Sequence, residues 1–363
     1  MTRDDGVAAA ARDAGGAGAM KERRPARAAP VAEADPGSDD AGARWPARLE
    51  VQACLDERGT RVQHAHVGPL RLLKTLYPEG PGIAHAVLVH PPGGLVGGDR
   101  LDVELDVGCG AHLLVTQPAA TRFYRSVAGV AAQSMSARVA SGARLEWLPQ
   151  ETLAYDGCEA LNAWHVRLEG SASLLAMEVL ALGLGAAGKP FASGHFLQRL
   201  HIEGLWREHG VIDARDSALL DGPCGLAGRR VLGTLVLAAG EPLPPAVAEA
   251  ALEAARAVIG EETGGTVGDA QAGQGAGVAR LGEGDPGGAI EGGKTAARDE
   301  DAEGAVAARP LLAGATLLHG RLLVLRALAD EVEPAMRLLR RVRTRWRAQA
   351  WALQGPEPRL WAL

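Results

Sequence analysis

Between Arg48 and about Leu237, apolar and polar residues alternate in short runs separated by Gly and Pro. Examples are Leu101-Asp102-Val103-Glu104-Leu105, Ser134-Met135-Ser136-Ala137-Arg138-Val139, Trp164-His165-Val166-Arg167-Leu168 and Leu197-Gln198-Arg199-Leu200-His201-Ile202. Neighbouring side chains of a strand fall on opposite faces, so each run predicts a strand with one apolar face. No helical period of ten or more residues intervenes, which excludes a βαβ chain and predicts strands packed on strands. Periodicity alone leaves sandwich, barrel and β-helix open. Helical spacing begins later. Pro245 to Ile259 places Val247, Ala251, Leu252, Ala255 and Ile259 on one face, with Arg256 near its end and Gly260 as a stop. Pro334 to Trp351 carries an apolar stripe of Met336, Leu339, Val342 and Trp346 opposite Arg337, Arg340, Arg341, Arg343, Arg345 and Arg347. Between these helices, Leu317-Leu318 and Leu322 to Leu325 flank His319-Gly320 as a strand pair.

One stretch departs from simple alternation. His90-Pro91-Pro92-Gly93-Gly94-Leu95-Val96-Gly97-Gly98-Asp99 lies between the apolar run Ala86 to Val89 and the strand that starts near Leu101. Its prolines restrict φ and its glycines allow angles closed to other residues, so a tight ordered turn is predicted, with the Asp99 carboxylate at the rim of a sheet.

This turn and the blocks after it resemble the urease accessory protein family UreD, called UreH in some organisms. The matching blocks are Thr116 to Ser126, Leu145-Glu146-Trp147-Leu148-Pro149-Gln150-Glu151, Phe191-Ala192-Ser193-Gly194, Leu232-Gly233-Thr234-Leu235 and Pro358-Arg359-Leu360-Trp361. Several blocks in order are more specific than any one of them. The resemblance implies a mainly β fold, a β-helix-like stack of many short strands with a small C-terminal helical part. It also implies an internal water-filled passage for nickel, whose polar positions match Asp99, Thr121, Glu178 and Asp213 here, with Asp213 in place of Glu and Thr121 in place of Ser. Carboxylate and hydroxyl oxygens bind such an ion weakly and exchange it, which suits transit better than a His/Cys trap.

Composition divides the chain of 363 residues. Residues 1–43 and 261–309 are rich in Ala, Gly and charged residues and poor in large apolar ones, so both are expected to be disordered. The predicted map is a UreD-like β-rich core over 44–260 ending in a helix, then the 261–309 insertion. A strand pair and basic amphipathic helix over 310–363 complete the core. The net charge of −6 argues against a general nucleic-acid binder. Cys54, Cys109, Cys158 and Cys224 form no CxxC pair, as suits a reducing compartment. No secretory h-region is visible, and the apolar run Leu174 to Leu184 is too short to span a bilayer and is interrupted by Glu178. A cytoplasmic protein with no membrane partner is expected. Few charges over 174–184 also suggest an exposed apolar surface that a partner covers.

Gly183-Leu184-Gly185-Ala186-Ala187-Gly188 has the form of a dinucleotide fingerprint, but the residues after it lack a helical period. His64, His66, His85 and His90 have no spacing of a fixed metal site, and no structural metal is assigned. Asp99, Glu146, Glu151, Glu178 and Asp213 draw attention because several sit among apolar neighbours. Glu178 is the sharpest of them, since a carboxylate there must be paired, protonated or wet. The arginine face of the last helix reads first as a solvated face and second as a docking edge. The resemblance implies a non-catalytic maturation factor, a metallocentre assembly chaperone with no tightly bound cofactor and only transient Ni2+. Its implied partners are urease apoprotein, UreF and, through UreF, UreG. The rivals are a nucleotide-dependent oxidoreductase using Gly183 to Gly188 and a structural β-helical adaptor with no metal passage.

Overall fold

The computed structural model describes residues 45–264 and 309–362. The extension predicted over 1–43, and the part of the predicted insertion at 265–308, lie outside the described residues. In chain order the first strands are β1 (Trp45–Asp56), β2 (Gly59–Val67), β3 (Arg71–Leu72), β4 (Ile83–Val89), β5 (Asp99–Val107) and β6 (His112–Thr116). Next come β7 (Thr121–Phe123), β8 (Ala131–Val139), β9 (Arg144–Leu148), β10 (Thr152–Ala154), β11 (Cys158–Leu168) and β12 (Ser173–Leu184). The remainder are β13 (Lys189–Pro190), β14 (Gly194–Ile202), β15 (Trp206–Asp213), β16 (Val231–Ala239), β17 (Leu312–Leu318) and β18 (Leu322–Ala329). The α-helices are α1 (Ser217–Asp221), α2 (Pro245–Thr263) and α3 (Val332–Trp351).

The chain coils. β5, β8, β11 and β14 stack in parallel in one sheet, of order β15-β14-β11-β8-β5-β1-β2. β4, β6, β9 and β12 stack in parallel in the second, whose main order is β17-β18-β16-β12-β9-β6-β4-β3. β7 and β10 pair in parallel along a third side. This is a β-solenoid-like stack of about 4 turns, as the resemblance implied. The parallel stacking explains why periodicity could not choose among β folds: alternation reports a covered face, not the strand that covers it.

β12 is buried from Ser173 to Gly183, so the apolar run expected at a partner surface is core. Leu174, Ala176, Leu180 and Leu182 face the solenoid interior. Leu175, Met177, Val179 and Ala181 face a second core formed with α2 and α3. Burying each such Leu is worth about 1.5–3 kcal/mol. α2 starts with Pro at its first position and buries Ala248, Ala251, Ala255 and Val258. It does not stop at Gly260 but runs to Thr263, where Gly264 takes a left-handed cap with φ of 70°. The extra turn is held because Glu262 lies 2.9 Å from Arg337 and 2.6 Å from Arg341, and Glu261 also pairs with Arg341. Arg309, at the other end of the predicted insertion, pairs with Asp330 and donates to the Gly228 carbonyl, so both ends of that segment belong to the core. β17 and β18 form the expected hairpin across His319 and Gly320, whose φ angles are 52° and 64°.

The central turn is as ordered as its composition required. Leu95 N–H donates to the Arg122 carbonyl at 2.7 Å and Tyr124 N–H to the Leu95 carbonyl at 2.9 Å, with Leu95 buried. Gly97 is demanded by close approach: a Cβ there would overlap Ser126 Oγ and the Ala128 carbonyl oxygen. Gly97→Ala is therefore expected to cost about 1–3 kcal/mol, measured as a lower urea midpoint with unchanged m-value.

Candidate functional site

Inside the solenoid a row of polar side chains runs between the two sheets. β8, β11 and β14 point Gln133, Asn162 and Gln198 inward at matching register, each flanked by apolar inward neighbours. Facing them, β7 and β10 place Thr121 beside Thr152, while β12 contributes Glu178 and β16 sets Thr234 opposite it. Thr121 Oγ1 donates to Gln117 Oε1 at 3.2 Å and lies 3.4 Å from Gln133 Oε1. Thr152 Oγ1 donates to Glu178 Oε1 at 3.1 Å. Arg326 Nη1 donates to Thr234 Oγ1 at 2.7 Å and also pairs with Glu208, where the row meets solvent. The other end opens into a cavity of about 300 Å³ lined by His90, Gln117, Thr121 and Gln133 beside the central turn.

Burial pushes the Glu178 carboxyl up to about 7, against the pull of the Asn162 amide and the Thr152 hydroxyl. It is 3% exposed and has no ion-pair partner among the described residues. Asn162 Nδ2, buried beside it, is near enough to lower the Glu178 carboxyl but reaches no acceptor in full hydrogen-bond geometry, the condition under which a buried site takes up water. Burial also lowers the His90 imidazole, which the Asp99 charge opposes.

Of the four positions matched to a nickel path, Thr121 and Glu178 lie in this row, both in reach of Thr152. Asp99 stands at the mouth end: its Oδ2 accepts from Val96 N–H at 2.9 Å, closing the turn, and it acts on His90. Asp213 does not join them. Its register partner is His195, which shares a face with Glu159, so strand parity puts it outside the solenoid. Asp213 lies 3.4 Å from His195 Nε2, and Glu159 lies 3.1 Å from Nδ1. Gln117, Gln133, Thr152, Asn162, Gln198 and Thr234 were missed by sequence reasoning. The available signal was an amide at an inward position of each run, as in Phe196-Leu197-Gln198-Arg199-Leu200.

The Glu159, His195 and Asp213 cluster holds the antiparallel edge strand β15 and predicts a pH response. The Glu159 hydrogen bond foremost raises His195. That contribution is complete below the ordinary imidazole value and is lost as pH rises through the raised one. The Arg215 N–H first, and His195 after it, lower Asp213, whose contribution is lost as pH falls through the depressed value. Amide protection factors at Val211 and Leu197, corrected for the intrinsic pH dependence of exchange, are expected to be largest between those limits, and a profile without that maximum would exclude the clamp.

A second polar node lies on the opposite face of the same sheet, under α3. Glu146, fully buried, accepts from Arg343 Nη2 at 2.6 Å, lies 3.1 Å from Arg347 Nε and 2.9 Å from His112 Nε2. Glu79 accepts from Arg347 Nη2 at 2.9 Å and meets His85 Nε2 at 2.9 Å. Burial alone would raise Glu146, but the Arg343 charge, the His112 contact and Arg347 bring it to about 2. Glu79 is likewise lowered in spite of burial, by His85 and Arg347. The expected solvated arginine face is thus corrected. Arg343 and Arg347 are 1% exposed, Arg337 and Arg341 pair with α2, and Arg340 stacks over Trp361. Exposed Arg345 keeps the expected setting.

The remaining candidates resolve locally. After β12, Gly185–Ala187 forms one 3-10 turn and Lys189–Pro190 pairs back on Gly183-Leu184, so the glycines make a hairpin with no helix N-terminus for a pyrophosphate. His64 and His66 share a face of exposed edge strand β2, their rings 6.4 Å apart. No group of three His, Cys, Asp or Glu side chains among the described residues is arranged to hold a metal ion. None of the described helices is long and apolar enough to cross a membrane.

Fold and site define a stacked β scaffold with a row of polar side chains in its core and a helical layer locked on one wall by buried ion pairs. The UreD urease accessory protein family model matches residues 46–362. Urease accessory protein UreD from Leptothrix cholodnii is 44% identical over 319 residues, 87% of this chain and 99% of the relative. The same-named proteins of Verminephrobacter eiseniae and Paracidovorax citrulli are each 46% identical over 88% of this chain and 99% of theirs. The chain belongs to the UreD urease accessory protein family, which gives it a role in urease maturation.

Proposed function

We propose that the protein is a non-catalytic maturation scaffold that binds urease apoprotein together with UreF and, through UreF, UreG, and helps deliver nickel to the urease active site. The observation that carries this reading is the polar row from the cavity at His90 and Thr121, past Glu178, to Thr234 and Arg326. Its stations are hydroxyl, amide and a single unpaired carboxylate, donors that leave an ion much of its water and release it again. A hydrated divalent ion entering at the mouth meets Gln117, Thr121 and Gln133 as neutral oxygens, then Glu178 as the first anionic site. Binding there releases the Glu178 proton, because the cation supplies the charge that the buried carboxyl otherwise lacks. No step calls for a nucleophile or for hydrolysis within this chain.

The test is purification of the tagged full chain from its native host, with and without nickel in the medium. Urease subunits and the other accessory proteins are expected to co-purify. Their absence would remove the scaffold reading, while co-purification combined with normal activation by a Glu178 variant would leave an adaptor without a passage.

A further inference from the structure

A second cleft, of about 310 Å³, is lined by Gly82, Gly110, Gly142, His112, Arg144 and Leu353. It sits where the turns before β4, β6 and β9 stack, on the side of the sheet that carries the Glu146 node. Arg144 opens β9 into this cleft, its guanidinium 5.5 Å from the ring of Trp351, the last residue of α3. Charge around it does not balance. Arg144, Arg343 and Arg347 share two carboxylates, Glu79 and Glu146. Both carboxylates are engaged by Arg343, Arg347 and the two histidines. The unmatched cation is Arg144, which has no carboxylate within ion-pair distance among the described residues. Burial and the Arg347 charge lower it, against the more distant pull of Glu146.

We propose that this cleft binds a free small oxyanion, a carboxylate- or phosphate-sized ligand held by the Arg144 guanidinium. The planar fork of Arg144 presents paired N–H donors that match two oxygens of such an anion. Open space around Gly82 lets a ligand approach the backbone, since a Cβ there would meet nothing within 4 Å. His112 lines the same cleft while its Nε2 stays on Glu146 at 2.9 Å. The site is on the opposite face of the sheet from the polar row, so it does not depend on the nickel reading.

The experiment titrates the full chain with inorganic phosphate, and separately acetate, against sodium chloride at matched ionic strength, following thermal midpoint and backbone amide NMR shifts. A ligand at ten times its Kd favours the folded state about elevenfold, a rise of about 3 °C for a chain of this size. The expected result is a saturable rise for phosphate, shifts centred on Gly110, His112 and Gly142, and loss of the rise in Arg144→Gln. No rise, shifts centred elsewhere, or an equal rise in Arg144→Gln overturns the proposal. A variant midpoint lowered equally with and without phosphate also overturns it, making Arg144 only a cation beside the C-terminus of α3. If Arg144→Gln does not fold, the shift map of the unmodified chain decides.

Discussion

Glu178→Ala is expected to reduce urease activation by on the order of tenfold while the complex with urease apoprotein and the other accessory proteins still assembles. Glu178 is the one carboxylate of the interior row, and it accepts from Thr152 without an ion-pair partner. Removing it therefore leaves no buried charge uncompensated, and the polar neighbours that remain can bind water. Glu178→Gln separates charge from shape and carries a sign of its own. The folded carboxyl is raised to about 7, so between the unfolded value and 7 the native state holds the proton more tightly. Stability then falls as pH rises through that window and stays reduced above it. The glutamine variant lacks this penalty and is expected to be more stable than the parent at pH above 7, by on the order of 3 kcal/mol. Activation assays beside pull-down and thermal midpoints at two pH values check both parts. Loss of assembly together with activity would falsify the transport role, and so would full activation by the alanine variant.

Glu146→Ala has the opposite expectation. Its carboxylate is shared by Arg343, Arg347 and His112, all buried, and its removal strands the Arg343 guanidinium away from water and leaves Arg347 with Glu79 alone. Breaking one partner out of a buried ion network costs about 3–5 kcal/mol, a large part of the stability of an ordinary domain. α3 is expected to loosen from the sheet, with Trp346 and Trp361 gaining exposure. The pH dependence follows from the lowered carboxyl. Its contribution is present above the ordinary glutamate value and is lost as pH falls from there towards about 2. Urea unfolding of parent and variant from neutral to acid pH would show the gap closing in that window, and a constant gap would mean that packing, not charge, holds the helix. The two glutamates thus predict opposite stability changes from equally buried positions of one sheet.

Much of this was legible from the residues alone. Period-two alternation specified which side chains share a face, and the Pro/Gly turn before Asp99 specified an ordered corner with a carboxylate at its exit. The hairpin at His319-Gly320 and the apolar stripes of α2 and α3 were also visible. What local pattern cannot contain is the identity of the layer that covers each face. Glu146 and Glu178 look alike, single acids in apolar runs, yet β9 turns one towards two arginines of α3 and β12 turns the other towards threonine and asparagine. Asp213 looked equally suited to a path, and only its pairing with His195 put it outside. Arg343 and Arg347 read as a solvated face because helical spacing shows a polar side, not a buried carboxylate waiting nearly 200 residues upstream. The sequence by itself determined the strands, their faces and the turn, since these depend on neighbours within a few residues. Only the tertiary structure decided which acids became ion pairs and which one stayed unpaired in the core, because the partners and the dielectric around a carboxylate come from strands and helices distant in the chain.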